Sequence, residues 1–271
     1  MPRTPLTSLA DPRVAEYAHL NQTNLTRGSK LFVAEGEKVV QRLIASDFFT
    51  DSILAEPEWA ERLEPLVPAE TPIYVADRDL LTELVGFGFH RGVLACGRRK
   101  PPPELVEILP QQDQPTLVLV CPAIQDPTNL GSILRTAAAM GVSAVLLGDE
   151  CADPFSRRVL RVSMGSAFFL PVRESPDLMA EVVALQQEHG FEVLATVLDP
   201  QATPLTEVSR PARLALVLGS EGHGLDERWR QLCPQQITLP MQAGIDSLNV
   251  AVAAAVFLYH VAYVAPKRTV T

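Results

Sequence analysis

The chain has 271 residues, nearly half of them hydrophobic, and a formal net charge of -9. That length allows two domains, and the apolar content excludes a disordered chain. The acidic balance argues against a general polyanion binder, because non-specific nucleic-acid affinity comes from Lys and Arg, although residues 1–100, with 12 basic and 14 acidic residues, are less acidic than the remainder, with 11 and 18.

Residues 1–30 carry early prolines and a short helix over 14–20. The run 31–33 then reads as a strand, Gly36 as a turn, and Val39, Val40, Leu43 and Ile44 recur at helical spacing. Strands over 52–55, 73–75 and 93–96, with a helix over 79–85 capped by Asp77 or Asp79, complete a small α/β domain over 1–100. The stretch GRRKPPPELVEILPQQDQP breaks the periodicity and reads as a linker, 101–115, with one short helix. Its leading Arg98, Arg99 and Lys100 are either a solvated run or a phosphate-contacting edge.

From Thr116 to the end, strands (117–120, 144–147, 168–172, 192–196, 214–218) alternate with helices (130–140, 156–163, 177–189) and a helical turn (227–231). This alternation predicts a mostly parallel sheet covered on both faces, in an α/β domain over 116–271. Ligands on such sheets bind beyond the carboxyl ends of the strands. A strand-like entry over 237–239 leads through Pro240 and a polar loop to Ser247, predicted to open a helix apolar on nearly every side and hence buried on most of its surface. Its length approaches that of a membrane span, but Asn249 and His260 favour a core helix over a membrane segment.

Cys96, Cys121, Cys151 and Cys233 stand far apart, with no CxxC pair and no His at metal spacing. Free buried thiols in a reducing compartment, and no metal, are expected. The N-terminus shows no signal-peptide pattern, so a cytoplasmic location is expected. No GxSxG elbow or HExxH occurs.

Three loops of the second part stand out. In IQDPTNLGSILRTAAAMGV, Asp126 and Pro127 set a turn, and Arg135 is expected on the first turns of the following helix. A cation there opposes the macrodipole, which points to a bound anion such as phosphate, the alternative being a surface Arg on a core helix. In LVLGSEGHGLDE, three glycines surround Ser220 and Glu221. This is neither a Walker loop nor a dinucleotide fingerprint. It offers backbone N–H groups and one carboxylate, and His223 reads as a loop histidine without a role. The third loop, 242–246, precedes Ser247 and Asn249.

Taken together, NLGSILRTAAAMG, LVLGSEGHGL and LPMQAGIDSLNVAVA resemble, in order and spacing, the three motifs of the SpoU-type (TrmH-type) RNA 2′-O-ribose methyltransferases. The segment FVAEGEKVVQRLI with the later HRGVLA resembles the small RNA-substrate-binding domain, of ribosomal-protein L30-like fold, that precedes the catalytic domain in many members. The resemblance implies a C-terminal α/β domain closed by a trefoil knot, a homodimer, and S-adenosylmethionine as methyl donor. It implies catalytic roles for Asn129, Arg135, Glu221, Ser247 and Asn249. Cofactor contacts would come from Thr196, Val197, Gly219, Ser220, Glu221, Leu239, Met241, Ser247, Leu248 and Asn249. Arg161 and Ser163, between the first two motifs, would serve the RNA side. The small polar residue usual after the Asn-Val of the third motif is Ala251 here, at a helix-packing position.

The reaction implied is methyl transfer to a ribose 2′-hydroxyl. A guanidinium stays protonated, so Arg135 is expected to clamp the adjacent phosphate rather than to remove the proton. Glu221 would hold Arg135, and Asn129 and Asn249 would orient the ribose or Arg135. An N-terminal domain of this kind favours 23S-type large-subunit rRNA as substrate. The alternatives are a tRNA enzyme, a base methyltransferase of the related knotted class, and a non-catalytic RNA-binding assembly factor.

Overall fold

The computed structural model of the protein describes residues 3–20, 30–90, 92–111, 114–220, 222, 224–242 and 247–266. The chain begins with β1 (Arg3–Pro5), β2 (Leu31–Glu35), α1 (Glu37–Ile44), β3 (Thr50–Ala55), α2 (Pro57–Leu63), β4 (Ile73–Val75), α3 (Arg78–Val85) and β5 (Val93–Arg98). It continues through α4 (Leu105–Ile108), β6 (Thr116–Cys121), α5 (Pro127–Ala139), β7 (Ala144–Leu147), α6 (Arg157–Val162), β8 (Val172–Glu174), α7 (Leu178–Gln187) and β9 (Glu192–Thr196). The last elements are β10 (Thr203–Pro204), β11 (Arg213–Val217), α8 (Glu227–Leu232), β12 (Gln235–Thr238) and α9 (Val250–Tyr259), which runs into a π-helical turn, His260–Val264. Two compact units result: Met1–Pro101 with Asp153–Phe169, and Pro102–Ala152 with Leu170–Thr271.

In the first unit the sheet order is β1-β4-β3-β5-β2, parallel at β1/β4 and β3/β4 and antiparallel around β5. Tyr17 is fully buried, its hydroxyl donating to the Ser52 carbonyl and accepting from Cys96 N–H, both at 2.9 Å. The segment Asp153–Phe169 had read as part of the second domain. It packs here because its aromatics complete an apolar cluster: Phe155 and Phe168 lie 5.4 and 5.5 Å from the Phe32 ring. A Cβ on Gly97 would collide with that same ring. The basic run is solvated at Arg98 and Lys100, which are exposed, and enclosed at Arg99. Arg99 grips Asp153 through two bonds of 2.8 and 2.6 Å, with both side chains about 10% exposed. Arg98 pairs with Asp51 and Lys100 with Asp47. Arg161 lies 3.6 Å from the buried Glu35, and the buried Ser163 hydroxyl donates to the Leu160 carbonyl. Both are engaged in this unit's own packing.

The second unit is a seven-stranded sheet, β10-β12-β9-β11-β6-β7-β8, parallel at every described pair. Its central strands β6 and β11 are wholly buried and aliphatic through their middles, with Thr116 and Arg213 at their starts, as strands covered on both faces should be. Parallel strands place all their carboxyl ends on one edge, and the loops after β6, β9, β11 and β12 gather there.

Three local expectations differ. First, α5 begins at Pro127 rather than residue 130. Asp126 caps it by accepting from Thr128 N–H and Asn129 N–H at 2.7 and 2.9 Å, and Pro127 is pre-set for the first helical position. Arg135 is therefore the ninth of 13 residues, away from the positive end, and the macrodipole argument for an anion there falls. Second, Ser166–Phe168 form a 3-10 turn, and the strand starts only at Val172. Third, α9 starts at Val250 with Asn249 as its N-cap, and only Ala254, Phe257 and Leu258 in it are buried. An apolar composition demands cover, but one chain leaves Val252, Val256 and Tyr259 at 51, 41 and 54% exposure. No helix of the described residues is long and apolar enough to cross a membrane.

Candidate active site

Three connections, those after β9, β11 and β12, line a cleft of about 420 Å³ in the second unit, within the range that ligand pockets take. After β9, the buried Thr196 donates its hydroxyl to the Val217 carbonyl at 3.1 Å, and Val197 N–H donates to the Ile237 carbonyl at 2.9 Å. These bonds tie the β9 exit to both neighbouring strands. After β11, Ser220 and Gly224 exchange backbone hydrogen bonds of 2.9 and 3.3 Å, and the Ser220 hydroxyl donates to the Gly224 carbonyl at 3.0 Å. Two positions of this turn require glycine: Gly224 has φ +66°, and a Cβ on Gly219 would lie 2.8 Å from the Gly224 backbone. Leu239 and Met241 follow β12, and Ser247 and Leu248 precede α9.

Of the residues singled out from sequence, Thr196, Val197, Gly219, Ser220, Leu239, Met241, Ser247 and Leu248 line this one cleft. Glu221 and His223 lie outside the described residues. Asn249 stands beside the cleft. Its Oδ1 accepts from Ala251 and Val252 N–H at 2.9 and 3.3 Å, closing the first turn of α9, and its Nδ2 donates to Asn129 Oδ1 at 2.9 Å. These bonds fix the amide orientations, because a flipped Asn249 would face backbone donors with its NH2. Arg135 does not join them. Six residues separate it from Asn129 on one helix, about 120° around the axis and about 9 Å along it. Its side chain is exposed and makes no hydrogen bond or ion pair among the described residues.

The wall is mostly aliphatic, with Leu218, Leu225, Val250, Ala253 and Phe257 added to those above. Asp199 and Arg230 also line it, joined at 3.1 Å, and sequence reasoning missed both. The only signal available was an acid three residues past the β9 strand and a cation on the short α8, each indistinguishable from an ordinary surface residue. Asp226 caps α8 by accepting from Trp229 N–H at 3.0 Å, and this bond holds its carboxyl below the usual range. The described residues contain no group of three or more His, Cys, Asp or Glu that could hold a metal ion.

A parallel α/β sheet with an apolar, glycine-walled cleft over its strand ends is the framework of an enzyme that binds a small cofactor or substrate. The model of the SpoU rRNA Methylase family matches residues 116–259, and the chain belongs to that family: it is an RNA methyltransferase. It is 37% identical to an uncharacterised tRNA/rRNA methyltransferase of Mycobacterium bovis, over 92% of this chain and 88% of that one. It is 30% identical to the 23S rRNA (guanosine(2553)-2′-O)-methyltransferase of Bacillus subtilis, over 93% and 97% of the two chains. Among solved structures, the SpoU methyltransferase AviRb of Streptomyces viridochromogenes, in complex with the cofactor AdoMet, matches with a TM-score of 0.74 at 25% identity, covering 86% of this chain and 89% of that one.

Proposed function

We propose that the chain transfers a methyl group from S-adenosylmethionine to a ribose 2′-hydroxyl of large-subunit rRNA. The observation that carries this reading is the Asn129–Asn249 pair set beside the cleft that collects the second- and third-motif loops. The B. subtilis relative, whose name specifies 23S rRNA and a 2′-O position, supports the substrate class.

The residues present suit the cofactor. The aliphatic wall suits an adenine ring, the Gly219–Gly224 turn permits close backbone approach, and the volume accommodates a nucleoside with an amino-acid tail. When bound, S-adenosylmethionine supplies a methyl already activated on a sulfonium. The protein must then align the acceptor and manage one proton. Alignment alone lowers such barriers by several kcal/mol, about 7–11 in the best cases. With both Asn carbonyl oxygens engaged, Asn249 and Asn129 are placed to orient the ribose rather than Arg135. Arg135 clamps the adjacent RNA phosphate and lowers the hydroxyl pKa electrostatically. Ser247 contributes a polar group at the cleft mouth, and Glu221 an acid.

The wider reading follows the family resemblance: a trefoil knot in the C-terminal domain (116–271), an L30-like RNA-binding domain over 1–100 joined by a linker over 101–115, and a cytoplasmic homodimer. The homodimer has support of its own. Val252, Val256, Tyr259 and Tyr263 recur along α9 and its extension at helical spacing, and all four are exposed. The alternatives are tRNA as substrate and a non-catalytic binding role. Mapping 2′-O-methyl sites in rRNA and tRNA, with and without this protein, tests the reading. A site in large-subunit rRNA that depends on the protein is expected. A dependent site only in tRNA, or none at all, overturns the proposal.

A further inference from the structure

Asp199 and Arg230 are the only charged residues lining the cleft among the described residues, and they carry opposite charges. Asp199 follows β9 and Arg230 sits on α8, 31 positions apart in sequence, so only the fold brings them together. One Arg230 Nη donates to Asp199 Oδ2 at 3.1 Å and stands 3.4 Å from Gln236 Oε1. Their side chains are 38% and 34% exposed. Such a pair is solvent-screened and contributes little to stability. Its opening to admit a ligand costs correspondingly little. The contact is a single 3.1 Å approach, whereas a guanidinium meeting a carboxylate at full strength makes two parallel bonds.

The rest of the wall is uncharged: apolar side chains and backbone, with the hydroxyls of Thr196 and Ser220 already donating to the Val217 and Gly224 carbonyls and Ser247 at the mouth. One acid and one base together on an otherwise uncharged surface match a ligand with a zwitterionic end. We propose that Asp199 and Arg230 form the subsite for the α-amino-acid end of the cofactor. The guanidinium takes the carboxylate through its planar fork, and the Asp199 carboxylate takes the ammonium. The two residues exchange their mutual contact for contacts with the ligand. They bind and position the donor and take no part in the proton transfer. This assignment rests on the cleft being the cofactor site.

The test separates the two ends of the cofactor by calorimetric titration. S-adenosylhomocysteine carries the amino-acid end, and 5′-methylthioadenosine lacks it. Wild-type protein, Arg230→Gln, Arg230→Lys and Asp199→Asn are compared. Arg230→Gln is expected to weaken S-adenosylhomocysteine about tenfold or more, the loss of a charge-assisted hydrogen bond. Its affinity for 5′-methylthioadenosine stays as in wild type. Arg230→Lys keeps the charge without the fork and falls between. Asp199→Asn follows the same selective pattern. Equal weakening of both ligands would mean that the pair only supports the wall, and no weakening of either would mean that it meets nothing; each overturns the assignment. Wild-type protein that binds neither ligand removes the cofactor reading of the cleft and this assignment with it. Wild-type binding of both with unselective variants removes the assignment alone.

Discussion

The Asn249 side chain does two things at once: its Oδ1 caps α9 and its Nδ2 donates to Asn129 Oδ1 at 2.9 Å. Helix start and site geometry are therefore coupled through one amide. Substitutions separate the two roles. Asn249→Ala loses both and is expected to cost about 1 kcal/mol of stability as a lost cap, seen in denaturant melts. Asn249→Asp keeps the acceptor for the cap and loses the donor to Asn129. It should melt as wild type yet lose methyl transfer, on the order of 100-fold if the ribose is mispositioned. Full activity in Asn249→Asp would show that the contact to Asn129 has no functional role.

Arg135 is exposed and makes no described pair. As a phosphate clamp it contributes only once RNA is bound. Arg135→Ala is expected to reduce methyl transfer on the order of 100-fold, with affinity for S-adenosylhomocysteine unchanged. Arg135→Lys keeps the charge without the planar fork and should retain part of the rate. Near wild-type turnover in Arg135→Ala, with cofactor binding intact, removes Arg135 from the mechanism.

How much of this was legible in the sequence depended on how local each signal is. The strand predicted over 117–120 is Thr116–Cys121, because a continuous aliphatic run between polar ends announces itself. The N-termini of α5 and α9 were misplaced because their caps were misread. Asp126 was taken for a turn residue rather than a cap, and Asn249 for a helical one rather than the N-cap. Non-local features stayed hidden. The membership of Asp153–Phe169 in the first unit depends on aromatic contacts to Phe32 across more than a hundred residues. The two-residue β10 exists only through its pairing with β12. In the cleft, the glycine turn and the loop before α9 stood out from their own residues, and the family motifs supplied the cofactor contacts. Asp199 and Arg230 belong to no motif, and nothing in either one's neighbourhood points to the other.

The open face of α9 gives a prediction about assembly. A charge placed among Val252, Val256 and Tyr259 would face a partner's apolar side chains if the face is covered by a second copy. Val256→Glu, or Val252→Glu with Val256→Glu, is expected to convert a dimer into a monomer at micromolar concentration by light scattering, without loss of helix content. A monomeric wild-type protein, or a dimer indifferent to these charges, contradicts the assignment of that face.

The four cysteines are buried thiols, none in a disulfide. Burial pushes the Cys96 thiol up to about 12 and the Cys233 thiol up to about 11, against 9.0 for a free one. The native protein at pH 8 should thus react slowly with a thiol reagent, and all four should react on unfolding. The sign for stability follows from the same shifts. The fold favours the neutral thiols, so their contribution is complete below pH 9 and is lost as pH rises toward 11 and 12. Rapid labelling of the native protein at pH 8 would show these sites to be more open than their burial indicates.

The most direct test of the account uses purified protein, large-subunit rRNA and S-adenosylmethionine bearing a deuterated methyl. The RNA is then digested to nucleosides and weighed by mass spectrometry. The account predicts a deuterated methyl on the ribose of a discrete nucleotide, formed on the order of 100-fold more slowly when Arg135→Ala replaces wild type. A label on a base, or no label on RNA from a protein that binds the cofactor, would contradict it.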